Sequence, residues 1–219
     1  MQTKIQRIKP ILIYCAGKNK RLDTIAENAG LKLGIQLPHS TIYFPPFFVD
    51  QNWRKPDRKK YIQAVQSLRP IMATVIDIEH LQQIEEALEW GEEISDYVQY
   101  IVIIPKVSGI ISSIPMYINN AEVLLGYSVP SKYSGSSVPL WEFRDRRVHL
   151  LGGSPKKQME LWSYLNIFSC DGNAIERIAT TYCRFWDGRA WQDMGSGKDF
   201  IYEAFKRSCD NLILMWESI

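Results

Sequence analysis

Two aspartates stand where this chain could do chemistry. Asp77 ends the apolar run Ala73-Thr74-Val75-Ile76, and Asp171 follows Ile167-Phe168-Ser169-Cys170 and precedes Gly172. A carboxylate at the end of an apolar strand is partly desolvated, so its pKa is adjustable and it can act as nucleophile, base or acid. Asp171 also lies beside a helix start, where positive backbone charge and the small Gly172 leave room for a ligand. Each has a plain structural alternative. Asp77 could cap the helix near Leu81 or pair with Lys106, and Asp171 or Asn173 could simply cap the helix that follows. Gly152-Gly153-Ser154-Pro155 offers consecutive N–H groups at a helix N-terminus, which suits a phosphate or a base edge but is also an ordinary tight turn. Asp50, Lys106, Tyr127, Ser128, Ser169 and Cys170 complete the polar strand ends.

Other patterns fail at a residue their chemistry requires. Gly195-Ser196-Gly197-Lys198 looks like the end of a phosphate-binding loop, but Asp199 replaces the hydroxyl residue and Gln192 replaces the first glycine. His39, His80 and His149 show no metal-ligand spacing, and no Gly-x-Ser-x-Gly elbow is present. Cys15, Cys170, Cys183 and Cys209 are scattered and read as free thiols. Neither a metal nor an organic cofactor is expected. The loop after Tyr127, with Tyr133, Gly135 and Trp141, reads as a base-stacking lid or a surface loop pinned by aromatics.

The elements that position these residues follow from periodicity. Apolar runs over 11–16, 42–49, 71–77, 100–105, 122–127, 148–151 and 166–169 are apolar along their whole length, as when both faces of a parallel sheet are covered. Amphipathic helices alternate with them. Pro56 precedes a stripe of Tyr61, Ile62, Val65 and Leu68; Leu81, Ile84, Leu88, Ile94 and Val98 form a second. Ser154-Pro155 and the Asn173/Glu176 capping box open two more helices, and a last one covers about 198–218. The order predicts one α/β domain over 1–219, a (β/α)₈ TIM-barrel-like fold, with an open doubly wound sheet as the alternative. An eighth strand is expected around Trp191. Ligands then meet the carboxyl ends of the strands.

The 219 residues carry a net charge of only +2, which hides an asymmetry. Residues 1–60 hold twelve Lys or Arg against four acids, and 61–128 hold two against nine. Arg54, Lys55, Arg58, Lys59 and Lys60 form the densest basic group and are candidates for a nucleic-acid backbone, or else a solvated helix face. No eighteen-residue apolar run occurs, so no membrane partner is expected, and a cytoplasmic setting is the default expectation.

Val148-His149-Leu150-Leu151-Gly152-Gly153-Ser154-Pro155 and Leu165-Asn166-Ile167-Phe168-Ser169-Cys170-Asp171-Gly172-Asn173 resemble the tRNA-guanine transglycosylase superfamily. There, a strand ending in a Leu-x-Gly-x-Gly type turn and a helix lead to a strand ending in Phe-Asp. Leu125-Gly126-Tyr127-Ser128-Val129-Pro130 and Val138-Pro139-Leu140-Trp141-Glu142-Phe143 are closer to a phage and bacterial family akin to the DNA 7-deazaguanine transglycosylases. The second resemblance runs from about residue 71 onward. It implies a (β/α)₈ barrel that exchanges guanine in nucleic acid for a 7-deazaguanine base, with DNA favoured over tRNA. A carboxylate attacks C1′ and a second carboxyl group moves the proton. Carried over by position, the nucleophile falls on Ser169; Asp171 is the nearest carboxylate, with Asp77 as its acid/base partner. Lys106, Tyr127, Ser128, Gly152, Gly153, Ser169 and Asn173 become the substrate-binding set. The zinc-binding cysteine cluster and the Asp-Ser-Gly-Gly-Phe segment of the tRNA enzymes are absent. The competing readings are a noncatalytic nucleic-acid or nucleobase binder and a barrel hydrolase of a small phosphorylated molecule. A homodimer or partner protein stays open.

Overall fold

Eight parallel strands close on themselves around an apolar centre. The computed structural model describes residues 8–38, 41–130, 135–195 and 197–219. In chain order the first elements are β1 (Ile11–Cys15), α1 (Lys20–Asn28), β2 (Lys32–Leu37), β3 (Phe48–Gln51), α2 (Arg58–Leu68), β4 (Met72–Thr74), α3 (Gln83–Ile94) and β5 (Tyr100–Ile103). There follow β6 (Tyr117–Ile118), β7 (Ala121–Ser128), β8 (Arg147–Leu151), α4 (Pro155–Leu161), β9 (Asn166–Gly172) and α5 (Ala174–Tyr182). The chain ends with β10 (Arg184–Trp186), β11 (Trp191–Asp193) and α6 (Lys198–Glu217). β1 pairs with β2 on one side and β9 on the other, and the β5–β7 pairing completes the ring. This closure excludes the open sheet. The short β6 runs antiparallel against β7 and stands outside the ring.

Alternation along each strand divides the apolar residues between two cores. Inward-facing Ile13, Phe48, Met72, Val102, Ile104 and Leu124 fill the barrel. Outward-facing residues such as Leu12, Tyr14, Val49, Ile101, Val123 and Leu150 pack beneath the helices. The amino-terminal end is plugged: the Tyr100 and Phe168 rings lie 4.6 Å apart, and the Arg147 guanidinium lies 4.1 Å from the Phe168 ring centre. The carboxyl end is left for ligands.

The eighth strand is β2, not the region around Trp191. Trp191 opens β11, which pairs only with β10 in a hairpin outside the barrel. β2 interrupts the whole-length apolar pattern with exposed Lys32 and Gln36, and Gly34 replaces a bulky residue. A Cβ at Gly34 would come within 2.8 Å of Ile13 Cγ2 and 3.0 Å of the Phe48 ring, so the barrel needs the small residue there.

Several helix signals operate as expected. The Asp57 side chain accepts from the Lys60 N–H at the start of α2, and Ser154 accepts from the Lys157 N–H ahead of Pro155 in α4. Tyr61, Ile62 and Val65 are buried. In α3 the buried face is Ala87, Trp90, Gly91 and Ile94; Leu81 precedes the helix and is exposed, and Val98 follows it. The Asn173/Glu176 capping box does not form. Asn173 makes no side-chain cap bond, and Glu176 turns inward with its carboxylate 3.8 Å from Lys18 Nζ. Among the described residues no helix is long and apolar enough to cross a membrane.

Gly126 tests the inner packing directly. A Cβ there would lie 2.5 Å from Ile104 Cγ1 and 2.9 Å from Leu151 Cδ1, so Gly126→Ala should destabilise the protein by about 1–3 kcal/mol through overpacking. Urea unfolding checks this, and an unchanged midpoint would contradict the packing described.

Candidate functional site

The two-residue period that fills the barrel also builds its mouth. One step beyond Ile13 on the same face is Cys15; beyond Phe48 is Asp50, beyond Met72 is Thr74, and beyond Ser169 is Asp171. These polar residues replace the apolar layer where the strands end. Above them opens a cavity of about 740 Å³ whose walls include Cys15, Asp50, Asp77, Lys106, Ser128, Gly152, Asp171 and Asn173. Trp53, Glu79, His80 and Gly135 reach it from the loops.

Asp171 is held by its neighbours yet remains available. Its Oδ1 accepts the Gly152 N–H at 2.7 Å, while Oδ2 accepts only the weak Cys15 thiol donor at 3.4 Å. Gln158 Nε2 donates to the carbonyls of Asp171 and Gly152 at 2.7 and 2.8 Å, which locks the two strand ends together. Burial pushes the Asp171 carboxyl up to about 6, against the pull of the Gly152 and Cys15 hydrogen bonds. The Cys15 thiol is itself raised, chiefly by burial and then by the adjacent Asp171 charge, so it stays protonated.

Asp50 is displaced further. Desolvation, then the charge of Asp171, lift it to about 8, although Thr74 Oγ1 donates to its Oδ1 at 2.9 Å. Thr74 is fixed in turn, accepting the Gln51 N–H at 2.8 Å. Of these two carboxyl groups Asp50 is raised further than Asp171, so Asp50 keeps its proton to the higher pH. Asp77 has a different environment. Its carboxylate is 3.4 Å from Lys106 Nζ, which also donates to Ser128 Oγ at 2.5 Å. Burial raises Asp77, and the Lys106 charge opposes the rise.

The structure thus brings Asp77, Lys106, Ser128, Gly152, Asp171 and Asn173 together at one cavity. Three other expected residues lie elsewhere. Tyr127 faces outward and is buried with its ring 5.2 Å from Phe143, because its neighbour Ser128 takes the inward position. Gly153 turns away under Val129, where a Cβ would clash at 2.5 Å. Ser169 sits one layer down, its Oγ 2.8 Å from His149 Nδ1, with both residues fully buried. The Gly152 N–H is committed to Asp171 and is not a free donor for a base. Tyr133 and His39 lie outside the described residues, and Trp141 is exposed on the surface.

The basic group divides as well. Arg58 is clamped by Glu89 at 3.1 Å and Glu93 at 2.5 Å on α3, and Lys60 pairs with Asp57 at 3.0 Å. Lys59 is exposed on α2. Only Arg54 and Lys55 line a depression at the mouth, beside Trp53. The sequence places Asp50 among the polar strand ends but gives it no role in the site, since the apolar run over 42–49 does not fix which way it faces. The real strand starts after Pro45-Pro46 and ends at Gln51, which makes Asp50 inward-facing. Among the described residues no cluster of three or more His, Cys, Asp or Glu is placed to hold a metal.

A protein-family model described as "Family of unknown function (DUF6610)" matches residues 29–217. The chain belongs to this family. No curated protein and no solved structure matches the sequence. The DUF6610 match takes in β2 through β9 and, with them, every cavity residue named above except Cys15.

The sign of the Asp50 shift yields a stability test. A carboxyl raised to about 8 in the folded state holds its proton where the unfolded chain has lost it. Its contribution is complete below the unfolded value of about 4 and drains away as pH rises to about 8. Asp50→Asn removes that loss, so relative to the parent the variant should gain more than about 1.4 kcal/mol between pH 4 and pH 9. Urea unfolding at both pH values measures it; an equal difference at both would show that Asp50 titrates normally.

Proposed function

We propose that the protein is a base-exchange glycosyl transferase on nucleic acid, releasing guanine and installing a 7-deazaguanine, with DNA favoured over tRNA. The observation that carries this reading is that two buried aspartates, Asp50 and Asp171, share one cavity at the barrel mouth, with Asp50 raised further than Asp171. Glycosyl transfer with a covalent intermediate needs a carboxylate nucleophile and a second carboxyl group that gives and takes a proton. The resemblance of 148–155 and 165–173 to the transglycosylases supports the same chemistry.

Asp171 Oδ2, restrained only by a thiol, attacks C1′. The C1′–N9 bond breaks, its electron pair leaves with guanine, and Asp50 supplies the proton that neutralises the departing base. The incoming base then loses its N9 proton to the Asp50 carboxylate, N9 attacks C1′, and the ester bond to Asp171 breaks. Both carboxyl groups return to their starting states. Asp77 is assigned to binding, because its carboxylate is already engaged by Lys106 at 3.4 Å. With Ser128 it presents acceptor and donor groups to a base edge. A cavity of about 740 Å³ falls within the range of small-molecule sites, roughly 300–1,000 Å³. The noncatalytic reading depended on Ser169 standing at the nucleophile position. Ser169 lies in the layer beneath the cavity, so the lack of a carboxylate there leaves the mouth's chemistry intact.

Mass spectrometry of nucleosides from DNA and tRNA tests the proposal in cells that supply a 7-deazaguanine. The parent protein should introduce a deazaguanine nucleoside, Asp171→Asn should abolish it, and Asp50→Asn should slow turnover by about 10²–10⁴-fold. Unchanged nucleosides with the parent, or full turnover by Asp171→Asn, would refute the assignment.

A further inference from the structure

The mouth carries a second depression that the exchange chemistry does not use. It measures about 420 Å³ and is lined by Gln36, Asn52, Trp53, Arg54 and Lys55. Gln36 and Asp50 are register partners on β2 and β3, so this depression opens one strand away from the catalytic carboxyl. Trp53, 53% exposed, forms part of the wall of both spaces. We infer that the depression beside Trp53 seats the nucleotide flanking the reacting one, so that the substrate is an unpaired strand and not a free nucleoside. The inference rests on the base-exchange reading for what occupies the main cavity.

The chemistry of the lining selects this occupant. No carboxylate lines the depression. Arg54 and Lys55 have no ion pair among the described residues, in contrast to Arg58 and Lys60 nearby. Two uncommitted cations suit a phosphodiester. The Arg54 guanidinium lies 5.0 Å from the Trp53 ring centre, so one face of the indole is backed by positive charge. An exposed indole bordered by cations is a stacking platform for a base, whichever base it is. The amides of Gln36 and Asn52 add hydrogen-bonding groups for a base edge or sugar. A paired base is already stacked on its neighbours and cannot offer its face to Trp53, which is why an unpaired strand fits and a duplex does not.

Binding of a fluorescently labelled twelve-residue oligothymidylate, followed by anisotropy, tests the subsite. This probe has no guanine to exchange, so the measurement does not depend on turnover. Trp53→Ala should weaken binding about tenfold. Arg54→Ala with Lys55→Ala should weaken it and reduce the slope of log K against log salt by about 1.4, two phosphate contacts on a single strand. Lys60→Ala, whose charge is already paired with Asp57, should change neither. Unlabelled duplex should compete poorly. Absence of binding at low salt, unaltered affinity in Trp53→Ala, or equal competition by duplex would overturn the inference. If oligothymidylate binds through Trp53 while no nucleic acid gains a deazaguanine, the subsite stands and the base-exchange reading falls. If free guanosine exchanges as fast as a strand and Trp53→Ala is silent, base exchange stands and the subsite falls.

Discussion

Two carboxyl groups walled into one cavity cannot both carry a charge at low cost, and the mouth of this barrel is arranged around that constraint. Strand alternation forces Asp50 and Asp171 into the same layer, above Phe48 and Ser169 respectively. Desolvation raises both, and the charge on Asp171 raises Asp50 further. The Gly152 N–H stabilises the Asp171 anion, and Thr74 restrains Asp50. Gln158, buried in α4, holds the backbone of Gly152 and Asp171 in place by bonding to both carbonyls. Replacing Thr74 or Gln158 would remove a hydrogen bond that holds this pair in place.

The same economy governs the rest of the charge. The acidic α3 and the basic start of α2 meet where Arg58 pairs with Glu89 and Glu93, so part of the asymmetry along the chain becomes an outer helix contact. Exposed pairs of this kind contribute little stability, up to about 1 kcal/mol each. Their consequence is positional: Arg54 and Lys55 are left as the uncompensated cations beside the cavity. Inside, Lys106 pairs with Asp77 and bonds Ser128, which keeps one wall of the cavity polar beside the Asp50 and Asp171 pair.

Much of this was legible in the residues. Seven of the eight barrel strands announced themselves as short runs apolar on both faces, and Asp77, Lys106, Ser128, Gly152, Asp171 and Asn173 were readable as strand ends. β2 was hidden because Lys32, Gly34 and Gln36 break its apolar pattern, and Gly34 is there for a close approach to Ile13 and Phe48 that only tertiary structure reveals. Asp50 was readable as a strand end, but its inward orientation was hidden by a shift of register. Pro45-Pro46 delays the strand, and an error of one or two residues in its end decides whether a side chain faces the cavity or the helices. Tyr127 shows the same sensitivity: adjacent to Ser128, it points to the opposite side of the sheet. Glu176 had the spacing of a capping box, yet its side chain is buried and its carboxylate lies 3.8 Å from Lys18 of the β1–α1 connection.

The proposed chemistry needs Asp50 to keep its proton to a higher pH than Asp171 within one cavity. Carbon-13 NMR titration of the aspartate carboxyl groups, with Asp50→Asn and Asp171→Asn used to assign the signals, measures it directly. Asp171 should titrate near 6 and Asp50 near 8, and Asp50 should titrate lower when Asp171 is replaced by asparagine. Both carboxyls titrating together near the ordinary value of about 4 would contradict it.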